Sequence, residues 1–167
     1  MITVFQLVEN VQQLRHYQKE LWALVQEHLS RIESDYPAER FIADLWTDIF
    51  HGQLKLYVLI SGDKVLHAAN KGDPIPYGGG LAGFVIAQEI VDEELAGVLQ
   101  VVAMQLAKDY ADAAAFKKQF ERFGKYVGYA RIEYRVPHVL VNKPLRERLT
   151  AIGGKETHSV FSLRGEI

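Results

Sequence analysis

The feature with the clearest chemical potential lies in VLQVVAMQLAKDYADAAAFKKQF, residues 98–120. An apolar run of strand character passes through a charged link, Lys108-Asp109-Tyr110-Ala111-Asp112, into an amphipathic run of helical spacing. Such a unit brings unpaired backbone N–H groups and the positive end of a helix to one point, where a phosphate is readily held. The link has no glycine. Three readings follow: a ligand loop, a drifted ligand loop, or a plain turn in which Asp112 caps the helix. The run GGGLAG, Gly78 to Gly83, satisfies G-x-G-x-x-G, but it precedes a strand, whereas the dinucleotide fingerprint follows a strand and opens a helix. It reads as a flexible hairpin loop. Together with KGDPIPY, residues 71–77, it forms a long excursion of the kind that is often functional or mobile. No cysteine is present, which excludes disulfides, thiolate metal sites and a cysteine nucleophile. The histidines show no helix-face pair, so a metal site is not expected, and His158 reads as a surface residue of the last strand.

The elements that position this link follow from hydrophobic spacing. Residues 2–8 alternate as a strand, and Leu14, Tyr17, Leu21, Leu24, Val25 and Ile32 recur at helical intervals, predicting a long helix over 10–34 that ends before Pro37. Phe41, Leu45, Trp46 and Ile49 mark a second helix, with Gly52 as its stop. Strands are predicted over 54–61, 81–90, the apolar run ending near Gln105, 130–136 and 157–163, and the acidic turn Asp92-Glu93-Glu94 makes the second and third of these a hairpin. Phe116, Phe120 and Phe123 give the helix over 113–127 its inner face, and Gly128 closes it. Pro144, Leu145, Leu149 and Ile152 predict a helix that ends at Gly153-Gly154.

A chain of 167 residues, nearly half of them hydrophobic, fits one domain over 1–167 with a full core. The formal charge of -2 is spread without single-sign runs, so neither a nucleic-acid footprint nor an anionic-membrane footprint is read from it. The amino terminus lacks a basic leader, and no segment approaches the ~18 apolar residues of a membrane span. A soluble cytoplasmic protein is expected.

The segment NKPLRERLTAIGGKETHSVFSL resembles the end of the GNAT family, the acyl-CoA-dependent N-acyltransferases. That family commonly shows Asn, then Ala three residues on, Tyr seven on, and Gly-Phe at eleven and twelve, followed by a strand. Asn142 and Gly153 keep this spacing, whereas Leu145, Leu149 and Gly154 replace the alanine, tyrosine and phenylalanine. The order of elements resembles the family over nearly the whole chain. The resemblance implies an α/β (α+β) fold with a mixed, mostly antiparallel central sheet flanked by helices. Within it, the strand ending near Gln105 and the strand from Ala130 would run parallel and splay apart at their carboxyl ends.

Set in family phase, the link reads K-x-x-A-x-A, so that Lys108, Ala111 and Ala113 stand where the family places Arg or Gln, Gly, and Gly or Ala around a pyrophosphate. Asn142 is carried over as a further cofactor residue. Val102 and Met104 are the expected backbone contacts of the pantetheine arm of acetyl-CoA. A methyl group at Ala111 restricts the backbone angles that glycine would allow, and Asp109 and Asp112 bring negative charge beside the phosphates. A base for the acceptor amine is expected at Glu89 or Glu133 or through a water chain. With leucine at 149, Tyr126, Tyr129 and Tyr134 remain as donors of a proton to the departing thiolate.

Two functions follow from the resemblance. One is an N-acyltransferase moving an acetyl group to an amine. The other is a catalytically inactive protein of the same fold with a structural role, as among tailed-phage internal virion and morphogenesis proteins, which this short, cysteine-free chain with its drifted loop looks like. For the second the partners would be virion proteins or a second copy of the chain, and the location the host cytoplasm or the virion.

Overall fold

The computed structural model describes residues 2–64, 66–77, 80–110, 113–137, 147, 155–156 and 160–166. Its strands are β1 Ile2–Leu7, β2 Lys55–Gly62, β3 Leu81–Val91, β4 Gly97–Leu106, β5 Arg131–Pro137, β6 Lys155–Glu156 and β7 Val160–Glu166, and its helices are α1 Val11–Arg31, α2 Ala38–Phe50 and α3 Ala113–Val127. The strands form one sheet in the order β1-β2-β3-β4-β5-β7-β6. Every neighbouring pair is antiparallel except β4 and β5, which run parallel. This is the mixed, mostly antiparallel sheet with one parallel pair that the resemblance implies.

Helices cover both faces, and the sheet accordingly has two cores. Leu56, Val58, Ile60, Phe84 and Ile86 face α1 and α2 and meet Tyr17, Leu21, Leu24 and Val25. Tyr57, Leu59, Val85, Leu99 and Val101 face α3 and meet Phe116 and Phe120. A strand buried on both faces loses the polar alternation of a half-exposed one, which is why LYVLI reads as a continuous apolar run. Phe116, Phe120 and Phe123 stack along α3 and enclose Phe5. The helix ends where Tyr129 N–H reaches the Gly124 carbonyl at 3.0 Å and Gly128 N–H the Lys125 carbonyl at 3.1 Å, with Gly128 at φ +100. That double bond pattern needs a left-handed residue, and glycine adopts it without steric cost.

At the start of α1 the Asn10 side chain accepts from Gln13 N–H at 2.9 Å, and Gln13 Oε1 accepts from Glu9 N–H at 2.6 Å. These bonds satisfy backbone donors that the helix leaves unpaired, which explains a buried glutamine on an otherwise apolar face. The helix stops at Arg31, and Pro37 stands before α2 rather than directly terminating α1. The last long strand covers 160–166 where 157–163 is expected, and the two-residue β6 pairs with it. The excursion over 66–77 is tied to the rest of the fold. Asn10 Nδ2 donates to the Gly72 carbonyl at 2.8 Å, Gln6 Nε2 to the Asp73 carbonyl at 2.9 Å, and Ile75 N–H to Tyr17 Oη at 2.8 Å. These bonds fasten the excursion at residues 72–75; of the run read as a flexible loop, Gly78 and Gly79 lie outside the described residues and Leu81 to Gly83 open β3. The helix expected over 144–152, along with Asp112, Leu149 and His158, lies outside the described residues.

Candidate functional site

The parallel pair is short. β4 and β5 share four rungs, from Val98↔Arg131 to Val101↔Tyr134, after which β4 continues beside β3 to Leu106 and β5 continues beside β7 to Pro137. Between the two continuations the sheet opens as a wedge. The cause is local. Ile86 pairs with Ala103 and Ala87 with Val101, so Val102 is an extra residue in β4. Val102 and Ala103 consequently both pack on the α1/α2 core, while Val101 and Met104 pack on the α3 core. A bulge of this kind bends its strand and increases the local twist. Here it turns β4 away from β5 at the point where their pairing ends, and beyond Val101 the β5-facing edge of β4 has no strand partner among the described residues.

Glu133 and Tyr134 stand at the root of the wedge. Strand alternation puts them on opposite faces: Ile132 and Tyr134 join the α3 core, so Glu133 projects to the side of α1 and α2. Glu133 is 8% exposed, and its carboxylate accepts from Gln100 Nε2 at 3.2 Å and lies 3.4 Å from Arg131 Nε. Gln88 donates to Gln100, and Arg131 is also paired with Asp92, so a polar chain crosses β3, β4 and β5. α1 lies over β3 and β4. At its end, Arg31 donates to Gln105 Oε1 at 3.3 Å. His28, buried among Phe41 and Phe84, is hydrogen-bonded to the Met104 backbone. Burial, then the charge of Arg31, lowers the pKa of His28, so the ring is neutral near pH 7. Sequence reasoning passed over His28. Its spacing from Leu24 and Val25 on the inner face of α1 is the signal that could have found it.

Tyr134 is 6% exposed, and its hydroxyl has no hydrogen-bond partner among the described residues. Burial, then the charge of Glu121, pushes the phenol well above its usual range. Of the other two tyrosines, Tyr126 is 89% exposed at the end of α3. Tyr129 is engaged elsewhere: its hydroxyl accepts from Lys55 at 3.1 Å and donates to Glu89 at 3.2 Å.

Glu89 belongs to that second group. It forms a 2.8 Å ion pair with Lys55, which holds its carboxyl below the usual range. Glu89 is paired with Leu99, while Gly83 at the other end of β3 is paired with Leu106. At ~3.3 Å per residue, roughly 20 Å of strand separates Glu89 from the link after β4. The two expected bases stand on adjacent rungs, Glu89 opposite Leu99 and Glu133 opposite Gln100, but on different faces of the sheet: Glu133 faces α1 and α2, whereas Glu89, in phase with Val85 and Ala87, is on the α3 face and lines a cleft of about 470 Å³ with Lys55, Tyr57 and Tyr129.

Among the expected cofactor residues, Val102 and Met104 lie on the stretch of β4 beyond its pairing with β5, Lys108 is exposed in the turn that follows, and Ala113 begins α3. Ala111 and Asn142 lie outside the described residues. A second cleft, of about 720 Å³, opens beside this turn between Asp63, Lys64, Tyr77, Gly80, Asp109 and Tyr110. It is bordered by the fastened excursion. Gly83 has a reason to be glycine here, because a Cβ would stand 2.6 Å from the Gln105 carbonyl oxygen. Among the described residues, no group of His, Cys, Asp and Glu could hold a metal ion, and no helix is long and apolar enough to cross a membrane.

No family model and no curated protein matches the sequence. Solved structures do match the fold. An acetyltransferase of Thermus thermophilus superposes with a TM-score of 0.60 at 14% identity, covering 98% of this chain and 97% of that one. A GNAT-family acetyltransferase of Listeria monocytogenes gives 0.51 at 12% identity, covering 98% and 95%. The PaiA N-acetyltransferase of Thermoplasma acidophilum, solved in complex with coenzyme A, gives 0.54 at 12% identity, covering 98% and 99%. The chain has the GNAT fold.

Proposed function

We propose that the protein is an acyl-CoA-dependent N-acyltransferase that moves an acetyl group from acetyl-CoA to an amine. The observation that carries this reading is the wedge: a parallel pair parted after Val101↔Tyr134 by an extra residue, which leaves one edge of β4 without a strand partner among the described residues. The open edge of β4 suits the amide groups of a pantetheine arm, which would complete the ladder that β5 abandons. Lys108 supplies a cation where the arm would meet its phosphates, and the positive end of α3 lies just beyond it. When bound, acetyl-CoA supplies an acyl carbon activated as a thioester. Glu133 would take the proton of the attacking amine on the α1/α2 side, directly or through a water, since Gln100 and Arg131 hold its carboxylate in place.

A second reading is supported by the link itself, which offers no glycine between Lys108 and Ala113, and by leucine at 149. Under it the chain is a non-catalytic protein of the same fold, with a structural role in a phage virion or its assembly. The thermal midpoint with and without millimolar acetyl-CoA separates the two. An acyltransferase at one hundred times its Kd gains about 2.7 kcal/mol and melts several degrees higher. An unchanged midpoint supports the structural role.

A further inference from the structure

We infer that the tip between β3 and β4 and the cleft beside it form a self-complementary surface through which two copies of the chain associate, Leu95 of each copy entering the cleft of the other. Association of this kind is independent of the acyltransferase reading. Leu95 is the residue that points to it, being 84% exposed with a left-handed backbone at φ 60. The turn holds that conformation: Leu95 N–H reaches the Asp92 carbonyl at 3.0 Å, and Asp92 N–H the Ala96 carbonyl at 3.1 Å. Glycine or asparagine would adopt it at little cost, whereas leucine is strained there and gains little burial from its own chain. The tip is nevertheless fixed from several sides. Asp92 Oδ1 accepts from the Glu94 and Ala96 N–H groups, and Asp92 Oδ2 is paired with Arg131 of β5. An apolar knob is thus presented to solvent in an ordered position, which lowers the entropy lost when it is bound.

A matching hole lies beside the knob. Gly97, two residues further on, lines the cleft of about 470 Å³ whose apolar wall is Leu7, Phe123 and Val127. Val91, which pairs with Gly97, and Tyr126 and Val127 at the end of α3 are exposed and extend the apolar surface around it. Charge divides in the same way. Glu93 and Glu94 flank the knob, and Lys125 stands in the last turn of α3, which lines the cleft. None of these three has an ion-pair partner among the described residues, whereas Lys55 and Glu89 within the cleft are paired with each other. A surface that carries both members of a complementary pair side by side is satisfied by its own copy about a two-fold axis, each knob filling the other's hole and each acidic tip facing the other's Lys125. A different protein would have to supply both members at the same spacing, so the occupant these features favour is a second copy.

Sedimentation equilibrium tests the association directly. From about 1 μM to about 1 mM the parent should pass from monomer to dimer and no further. Leu95→Asn and Leu95→Gly both suit a left-handed backbone, so neither endangers the fold, and each should weaken the dimer at least about 30-fold. Phe50→Ser removes a similarly exposed side chain from α2, which packs on the other face of the sheet, and should leave the dissociation constant unchanged. A parent that stays monomeric throughout would overturn the inference, and so would Leu95 variants that dimerise as the parent does. Equal weakening by Phe50→Ser would also overturn it, by showing that the association is non-specific. Assembly that grows past two copies would do the same, since a two-fold surface closes on itself.

Discussion

Val101 and Tyr134 are the last residues through which β4 and β5 touch as strands, and the next residue of β4, Val102, has no counterpart in β3. The opening of the sheet and the extra residue are therefore one feature. Deleting Val102 restores regular alternation, since Val101 and Met104 already face α3 and Ala103 faces α1. The deletion should leave the core pattern intact, cost roughly 1–3 kcal/mol through lost packing, and let β4 straighten toward β5. We expect the parent's stabilisation by acetyl-CoA to vanish in the deletion variant, as read by thermal unfolding with and without ligand.

The two carboxylates of the sequence reading should separate in kinetics. Glu133→Gln should lower thiol release from acetyl-CoA, with peptide and polyamine amines as acceptors, by about 100-fold, in keeping with the removal of a general base. Glu89→Gln should change that rate less than twofold. Its ion pair with Lys55 is half exposed, so its loss should cost under about 1 kcal/mol of stability. Equal losses of rate in both variants would place the chemistry somewhere other than the wedge.

Phe120 is fully buried and touches Phe5, Tyr57, Phe116 and Phe123. Phe120→Ala should cost about 3–5 kcal/mol in denaturant unfolding. A loss below about 1 kcal/mol would mean that α3 does not hold the α3 core, and the position of the turn after β4 would be in question with it.

His28 makes stability depend on pH. Its folded-state pKa is lowered by burial and by Arg31, so below about pH 6.5 the unfolded chain binds a proton that the folded chain resists. The His28 contribution is fully present above the unfolded value and is lost as pH falls through the interval down to the folded one. Denaturant unfolding between pH 7 and pH 5 should show a slope approaching about 1.4 kcal/mol per pH unit from this group. His28→Gln should remove that part of the slope, and an unchanged profile would show that the ring is not held neutral.

Most of the elements were legible because each rests on local spacing. The three-and-four interval of Leu21, Leu24 and Val25, the phenylalanine stripe of α3 and the acidic tip between β3 and β4 are properties of the chain within one or two turns. The acidic tip is borne out in detail: Asp92 Oδ1 accepts from Glu94 N–H at 3.0 Å and Ala96 N–H at 2.8 Å. The carboxyl end was less legible. GGKETHSVFSL carries turn and strand signals side by side, and the pairing Tyr134↔Leu163 is a long-range contact that sets the strand over 160–166.

The sequence alone determined the order of helices and strands, the two apolar faces of the sheet and the charged link after β4, because these follow from side-chain type and local period. Tertiary structure decided the rest. The extra residue at Val102 is silent in VLQVVAMQL, since a strand buried on both faces carries no alternation against which an insertion could be counted. That Glu89 and Glu133 come to adjacent rungs but opposite faces of the sheet depends on strand pairing and register, which are set by contacts between distant segments. That the Tyr134 hydroxyl has no partner among the described residues depends on both, because whether a buried donor is satisfied is a property of everything packed around it, and no property of the residue itself records that.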